Sequence, residues 1–298
     1  MKVLVLGATG FIGFPAAQAL ARAGHIVYGL ARTEEKAKLL AAEEVIPILG
    51  DLDSDAWIPL IATLDTILET VGGGPEPARA VLERTTKAAA ALRPAGAPLL
   101  SYIYTSGTWV HGDNRTDRVT DTSPIAHPAE IVAWRPAVEQ LVVRSTAVNG
   151  VVVRPALVYG RSASLFAPLF AGAAKAGGRV VWPGTPGGRY AVVHTDDLAE
   201  LFVRVAERAS LVGGKIFDAA NSQTESVNEL LDRLVQISGV NGPYEYRKPE
   251  NRARGSDAVD DARAPLSCEG VVGLVAEEAG PCGGFGCLLR RLANFYNV

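Results

Sequence analysis

Lys2-Val3-Leu4-Val5-Leu6, followed at once by Gly7-Ala8-Thr9-Gly10-Phe11-Ile12-Gly13, decides how this chain folds. The nearly unbroken apolar run reads as a strand buried on both faces. The glycines read as the turn that hands it to a helix, whose apolar stripe is Ala16, Ala17, Leu20 and Ala21. Glycine lets backbone pass close to phosphate, and a helix start aims unpaired N–H groups and its positive dipole end at it. A three-glycine pattern alone is weak; a strand before it and a helix after it make it specific. The stretch predicts a pyrophosphate site and hence a bound dinucleotide. Gly7, Thr9, Gly10, Phe11, Ile12 and Gly13 are its candidate residues. The plainer alternative is a tight turn without a ligand.

Outward from that turn, strands are expected near 2–6, 26–30, 45–49, 66–70, 100–105 and 150–154. Helices are expected over 12–23, 33–42, 76–93 and 129–147, with Pro124, Pro128 and Pro136 blurring the start of the last. Such alternation implies an α/β fold, a Rossmann-type doubly wound parallel sheet with helices on both faces. From Arg161 the chain becomes looped and glycine-rich, as in Pro183-Gly184-Thr185-Pro186-Gly187-Gly188. At 298 residues it can be one large α/β domain or two smaller ones. A net charge of −3 and a pI near 5.9 leave no basic stripe for nucleic acid. The first residues already form a core strand, so no signal peptide is expected, and no apolar run nears the roughly eighteen residues of a membrane span. A cytoplasmic protein without nucleic-acid or membrane partners follows.

The G-x-x-G-x-x-G spacing resembles the short-chain dehydrogenase/reductase superfamily, and within it the extended or atypical NAD-dependent epimerase/dehydratase group. Further blocks of that resemblance are Gly50-Asp51-Leu52, Tyr104-Thr105-Ser106-Gly107 running to Gly112, Arg154-Pro155-Ala156-Leu157-Val158-Tyr159-Gly160, Val193-His194-Thr195-Asp196-Asp197-Leu198-Ala199, and Thr224 through Leu231. They keep the family's order over residues 1 to about 250. The resemblance implies a dinucleotide-binding domain over 1–160, to which 190–220 return, and a smaller C-terminal lobe, mainly 161–265, that takes a small-molecule substrate. It also implies cofactor contacts from Asp51, Leu52, Thr105, Arg135, Pro155 and Leu157, and is compatible with a homodimer.

The choice of cofactor rests on the end of the second strand, His25-Ile26-Val27-Tyr28-Gly29-Leu30-Ala31-Arg32. An NAD site usually places a carboxylate there to bond the ribose 2′-OH. Ala31 and Arg32 stand instead, and a guanidinium suits a 2′-phosphate, which it grips with two hydrogen bonds. NADP is expected over NAD, although Glu34 and Glu35 follow closely.

In the resembling superfamily the engine is a Tyr proton donor, a Lys four residues on that tunes it, and a Ser or Thr that bonds the substrate oxygen. A free phenol near pKa 10 needs such tuning at neutral pH. Counting from Gly112 and back from Glu139 puts Ile131 at the Tyr position, Arg135 at the Lys position and Gly107 at the Ser/Thr position. No Tyr lies between Tyr104 and Tyr159, and no Lys between Lys87 and Lys175. The usual triad is therefore expected to be missing. Ser106, Thr108 and Arg135 remain as catalytic candidates, Arg135 by holding the cofactor as the Lys would. His111, His194, Asp196, Asp197 and Tyr159 read as structural, the aspartates as helix caps. Two readings stand: an NADP-binding oxidoreductase or epimerase-like enzyme with non-standard catalytic residues, acting on a small carbonyl or hydroxyl compound, and a catalytically silent NADP(H)-sensing regulatory protein.

The last stretch, 266–298, is atypical. Cys268, Cys282 and Cys287 all fall there, among glycines, with neither metal-ligand spacing nor a later histidine, so no metal site is expected. Read one base forward, codons that can encode Cys268 to Glu278 permit the lysine-alanine, leucine-glycine-tryptophan, proline segment with which the resembling family ends. Arg outnumbers Lys 22 to 7, a mark of GC-rich coding in which shifted frames often lack stops. The tail reads as shifted out of frame, with chance codon degeneracy as the alternative. Either way it is expected to pack weakly.

Overall fold

A computed structural model describes residues 1–114, 119–161, 164, 180–238 and 242–247. The expectations for 266–298, cysteines included, lie outside the described residues. β1 (Lys2–Leu6), β2 (Ile26–Ala31), β3 (Ile46–Leu49), β4 (Thr66–Glu69), β5 (Ser101–Thr105) and β6 (Asn149–Pro155) alternate with α1 (Gly13–Arg22), α2 (Glu34–Ala41), α3 (Pro75–Leu92) and α4 (Arg135–Val143). With β10 (Ile216–Ala219) the strands form one seven-stranded sheet in the order β10-β6-β5-β4-β1-β2-β3, every pair parallel. The order turns back at β1, which pairs with β2 on one side and β4 on the other.

Each face of the sheet has its own core, as strands buried on both sides require. On one face Val3, Val5, Leu68, Ile103 and Val151 meet Ala16, Ala17 and Leu20 of α1 and Leu198, Phe202 and Val205 of α5 (Thr195–Glu207). On the other, Leu4, Leu6, Ile67, Tyr102 and Tyr104 meet Val81 and Leu82 of α3 and Val138 and Val142 of α4. Gly29 is a glycine because a Cβ there would press on Leu40, Ala8 and Val45 at 2.8 to 3.0 Å. The chain is therefore doubly wound, as expected.

The expected helix over 129–147 is shorter. A 3-10 turn covers Glu130–Val132 and α4 begins only at Arg135, with Pro136 in its first turn. Proline lacks an N–H and suits a helix start, so Pro136 opens the helix instead of interrupting it.

A third cluster lies apart from the main sheet. β7 (Leu157–Tyr159) and β9 (Arg189–His194) pair in parallel, and β11 (Thr224–Ser226) pairs with β9 in the opposite sense. β8 (Val181–Pro183) pairs with β12 (Glu245–Arg247). Leu157, Tyr159, Trp182, Tyr190 and Val192 pack here against Leu230, Leu231 and Leu234 of α7 (Val227–Ser238), while the single-turn α6 (Ala209–Val212) leads back to the main sheet.

Candidate functional site

Gly7, Gly10 and Gly13 lie at the carboxyl end of β1, and they are glycines for different reasons. Gly7 has φ +87°, and a Cβ there would stand 2.8 Å from Thr70 Oγ1; a Cβ on Gly13 would overlap the carbonyl oxygen of Gly7. These two serve the turn itself. Gly10 is exposed, and the one atom among the described residues within 4 Å of its Cβ position is the Gly7 oxygen at 3.1 Å. Its N–H donates to Gly7 O at 2.9 Å, and its own carbonyl accepts from Phe14 at 2.9 Å. No side chain caps α1 and no acidic residue lies in its first turn. The partly buried Phe11 and Ile12 pack on the core, while Thr9 is half-buried. An anion approaching Gly10 thus meets backbone and a helix N-terminus.

At the end of β2, Ala31 is buried and Arg32 exposed. Thr33 caps α2, its hydroxyl accepting from Lys36 N–H at 3.3 Å, and Glu34 and Glu35 form the helix's first turn. The Glu35 carboxyl is held below its usual range by its own backbone amide and then by the Thr33 hydroxyl. Asp51, past β3, accepts the N–H groups of Asp53 at 3.1 Å and Ser54 at 2.8 Å and so shapes its loop. Leu52 packs against the α3–α4 core.

The strand ends on the other side of β1 carry the remaining candidates. Arg135, first residue of α4, donates from Nη1 to the Thr105 carbonyl at 3.3 Å and stacks on Trp134. A Cβ on Gly107 would lie 3.8 Å from that same Nη1, so positions 107 and 135 do meet. Ile131 sits on the 3-10 turn with its side chain 55% exposed. Thr108 is buried. Ser106 is committed elsewhere: its hydroxyl donates to Glu139, which accepts Arg154 Nε at 3.0 Å and Nη2 at 2.6 Å. Arg154 Nη1 lies 3.6 Å from Asp218 Oδ1, and Asp218 Oδ2 pairs with His111 Nε2 at 2.7 Å. Ser106, Glu139, Arg154, Asp218 and His111 thus form one buried chain that pins β5, α4, β6 and β10 together. Pro155 ends β6, whereas Leu157 is placed in the core of the smaller sheet.

His194 is the residue that caps α5, its Nδ1 accepting from Asp196 N–H at 3.2 Å, in place of the aspartates expected to do so. Asp196 and Asp197 fall inside the first turn, where their charge faces the positive end of the dipole. Tyr159 meets His194 edge-on at 5.2 Å between ring centroids, and Gly160 is a glycine because a Cβ would overlap that imidazole.

Two features carry no motif in the sequence. Gly72-Gly73-Gly74 continue β4 into α3, and Cβ positions on Gly72 and Gly74 meet nothing within 4 Å among the described residues. Glu69 ends β4 at 1% exposure, and burial pushes its carboxyl up to about 8 against the pull of the Val71 amide and Arg135. A charge-bearing residue closing an otherwise apolar buried strand is the signal that could have found it. The buried Glu69 Oε2, Thr105 Oγ1 and Arg135 Nε have no hydrogen-bond partner among the described residues. An open glycine backbone at β1, an exposed Arg at β2 and unpaired polar groups at the β4 and β5 ends fit a dinucleotide laid across the carboxyl edge of the sheet.

Comparison with known proteins agrees with that geometry. The family model described as "NAD dependent epimerase/dehydratase family" matches residues 3–220. An uncharacterized protein of Schizosaccharomyces pombe is 30% identical over 237 residues, 77% of this chain and 78% of that protein. The 4-hydroxy-2-methyl-3-oxo-4-farnesyl-3,4-dihydroquinoline-1-oxide ketoreductase of Stigmatella aurantiaca is 27% identical over 258 residues, 80% of this chain and 74% of that one. Among solved structures, a dTDP-glucose 4,6-dehydratase double mutant from Streptomyces venezuelae with NAD bound superposes with a TM-score of 0.76. It is 16% identical, and the match covers 99% of this chain and 97% of that one.

Proposed function

The chain belongs to the NAD-dependent epimerase/dehydratase family, and from that premise we propose that it is an NADP(H)-linked oxidoreductase acting on a small carbonyl or hydroxyl compound. The observation that carries the reading is the end of β2, where buried Ala31 and exposed Arg32 stand in place of a ribose-binding carboxylate. Glu34 and Glu35, the nearest carboxylates that follow, belong to the capped first turn of α2. The Gly7–Gly13 turn holds the pyrophosphate and Arg32 the 2′-phosphate. Asp51 and Leu52 border the adenine, and Thr105 and Arg135 take the ribose of the other half, with Pro155 beside it. When bound, the dinucleotide supplies or accepts the hydride.

The proton has a less usual source. Gly107, Ile131 and Arg135 stand where a Ser, a Tyr and a Lys are expected, and the Ser106 hydroxyl is engaged by Glu139. Arg135 therefore acts by position and charge, and water or another acid of the site provides the proton. The ketoreductase name of the Stigmatella relative supports reduction of a ketone as the direction to test first. The substrate is taken by the smaller lobe, to which the cluster of β7, β8, β9 and α7 belongs, while α5 and β10 return to the dinucleotide half.

The test is cofactor choice followed by turnover. A guanidinium paired with a phosphate is worth about 1.5–3 kcal/mol, so NADPH should bind roughly ten- to a hundred-fold tighter than NADH. Arg32→Ala should erase most of the difference. Equal affinities in the unaltered protein overturn the NADP assignment. NADPH oxidation against a panel of carbonyl compounds then checks the enzyme reading, and tight binding without turnover on any compound overturns it in favour of a sensor.

A further inference from the structure

Glu69 occupies a place that the dinucleotide reading leaves unused. It stands opposite Leu6 on β1, the residue before the glycine turn, and opposite Tyr104 on β5. Its Oε1 accepts the Val71 N–H at 2.8 Å, while Oε2 is buried without a partner among the described residues. The groups that face this carboxyl are Arg135 from α4 and Tyr102 and Tyr104 from β5. Glu139, also on α4, is engaged by Arg154 and Ser106, and α3 presents apolar Ala78, Val81 and Leu82 to this face. β4 lies on the side of β1 away from β2. With the 2′-phosphate end on Arg32 and the pyrophosphate on the β1 turn, the nicotinamide end extends over β4 and β5.

We propose that Glu69 makes the site discriminate between the two redox states of its dinucleotide: as a neutral acid it favours the reduced form, and as a carboxylate it favours the oxidised form, whose nicotinamide ring carries a positive charge. This rests on the dinucleotide reading above. The phosphates are common to both forms, so their charge, and the titration of the 2′-phosphate near pH 6, cancel in the ratio of affinities. Between about pH 7 and about pH 9.5 a guanidinium stays charged. Burial pushes the Tyr102 and Tyr104 phenols up, which keeps them neutral. Among the facing groups Glu69 alone changes charge in that window, because burial holds its carboxyl near 8. The sign follows. Below that value Glu69 is protonated and binding of the oxidised form expels its proton; above it no proton need leave, and the oxidised form gains on the reduced one. Two unit charges about 10 Å apart at an effective dielectric near 20 change an affinity by roughly tenfold.

The experiment is calorimetric titration of the full chain with NADP+ and with NADPH from about pH 7 to about pH 9.5. The expected result is that NADP+ gains about tenfold on NADPH as pH rises through about 8. Near pH 7.5 NADP+ should release about half a proton, read from two buffers of different ionisation enthalpy, and NADPH markedly less. In Glu69→Gln the affinity ratio should stay flat. Should that variant not fold, infrared difference spectra of the unaltered protein decide, since NADP+ should remove a protonated-carboxyl band that NADPH leaves. A ratio independent of pH, a slope that survives in Glu69→Gln, or an unchanged carboxyl band overturns the proposal while leaving the function intact. Failure of both dinucleotides to bind at any pH overturns the function itself.

Discussion

Three glycines spaced three residues apart look equivalent in the sequence and are not equivalent in the molecule. Gly13 is held by close backbone contact with Gly7, while Gly10 is exposed and its Cβ position meets the Gly7 oxygen at 3.1 Å, a tight contact but not an overlap. Gly13→Val should therefore unfold or severely destabilise the protein. Gly10→Val should leave circular dichroism nearly unchanged and lower the melt far less than Gly13→Val, while abolishing dinucleotide binding. Calorimetric titration beside a thermal melt checks both, and undiminished binding by Gly10→Val removes the phosphate assignment. The turn was legible because its chemistry needs a local spacing. Glu69 was not, since a single carboxylate after Thr66-Ile67-Leu68 has no spacing to read, and its character comes from burial between β1 and β5. The pairing of His111 with Asp218 was hidden for a related reason, as 107 residues separate them.

The six central strands could be read because each is a short apolar run between turn residues, and register then follows from parallel pairing. The approach to α4 could not, because proline both ends helices and begins them and only the surrounding fold shows which. That detail bears on whether the usual chemistry can be restored. A Tyr at 131 would stand on an exposed 3-10 turn ahead of the helix. Ile131→Tyr combined with Arg135→Lys should therefore yield no large gain in turnover, and a large gain would show that two side chains were all that was lost. Further along α4, Glu139 is fully buried and bidentate with Arg154. Removing one member of such a pair strands the other charge, so Glu139→Ala should cost about 3–5 kcal/mol in denaturant unfolding. The double change Glu139→Leu with Arg154→Met should recover part of that loss, though Asp218 and His111 then keep only each other.

At the scale of the molecule, the sheet order separates the site into halves. β2 and β3 lie to one side of the glycine turn and β4, β5 and β6 to the other, so the Arg32 and Glu69 ends are set apart by topology. Arg161 ties the start of the second region to the first, pairing with Asp196 at 2.7 Å and with Gln18 of α1. The seventh strand arrives late. β6 ends at Pro155, yet its neighbour β10 spans Ile216–Ala219, after β9 and α5 have been laid down. During synthesis the ribosome therefore releases Val151, Val152 and Val153 as an open sheet edge and must add some sixty further residues before the strand that covers it emerges. At typical elongation of about 5–20 residues per second, that edge is unpaired for roughly 3–12 seconds. An apolar edge is a template for a neighbouring nascent chain. Chains released before Ile216 should accordingly be recovered in inclusion bodies, and slow codons between 156 and 215 should lower soluble yield without changing a single contact of the finished protein.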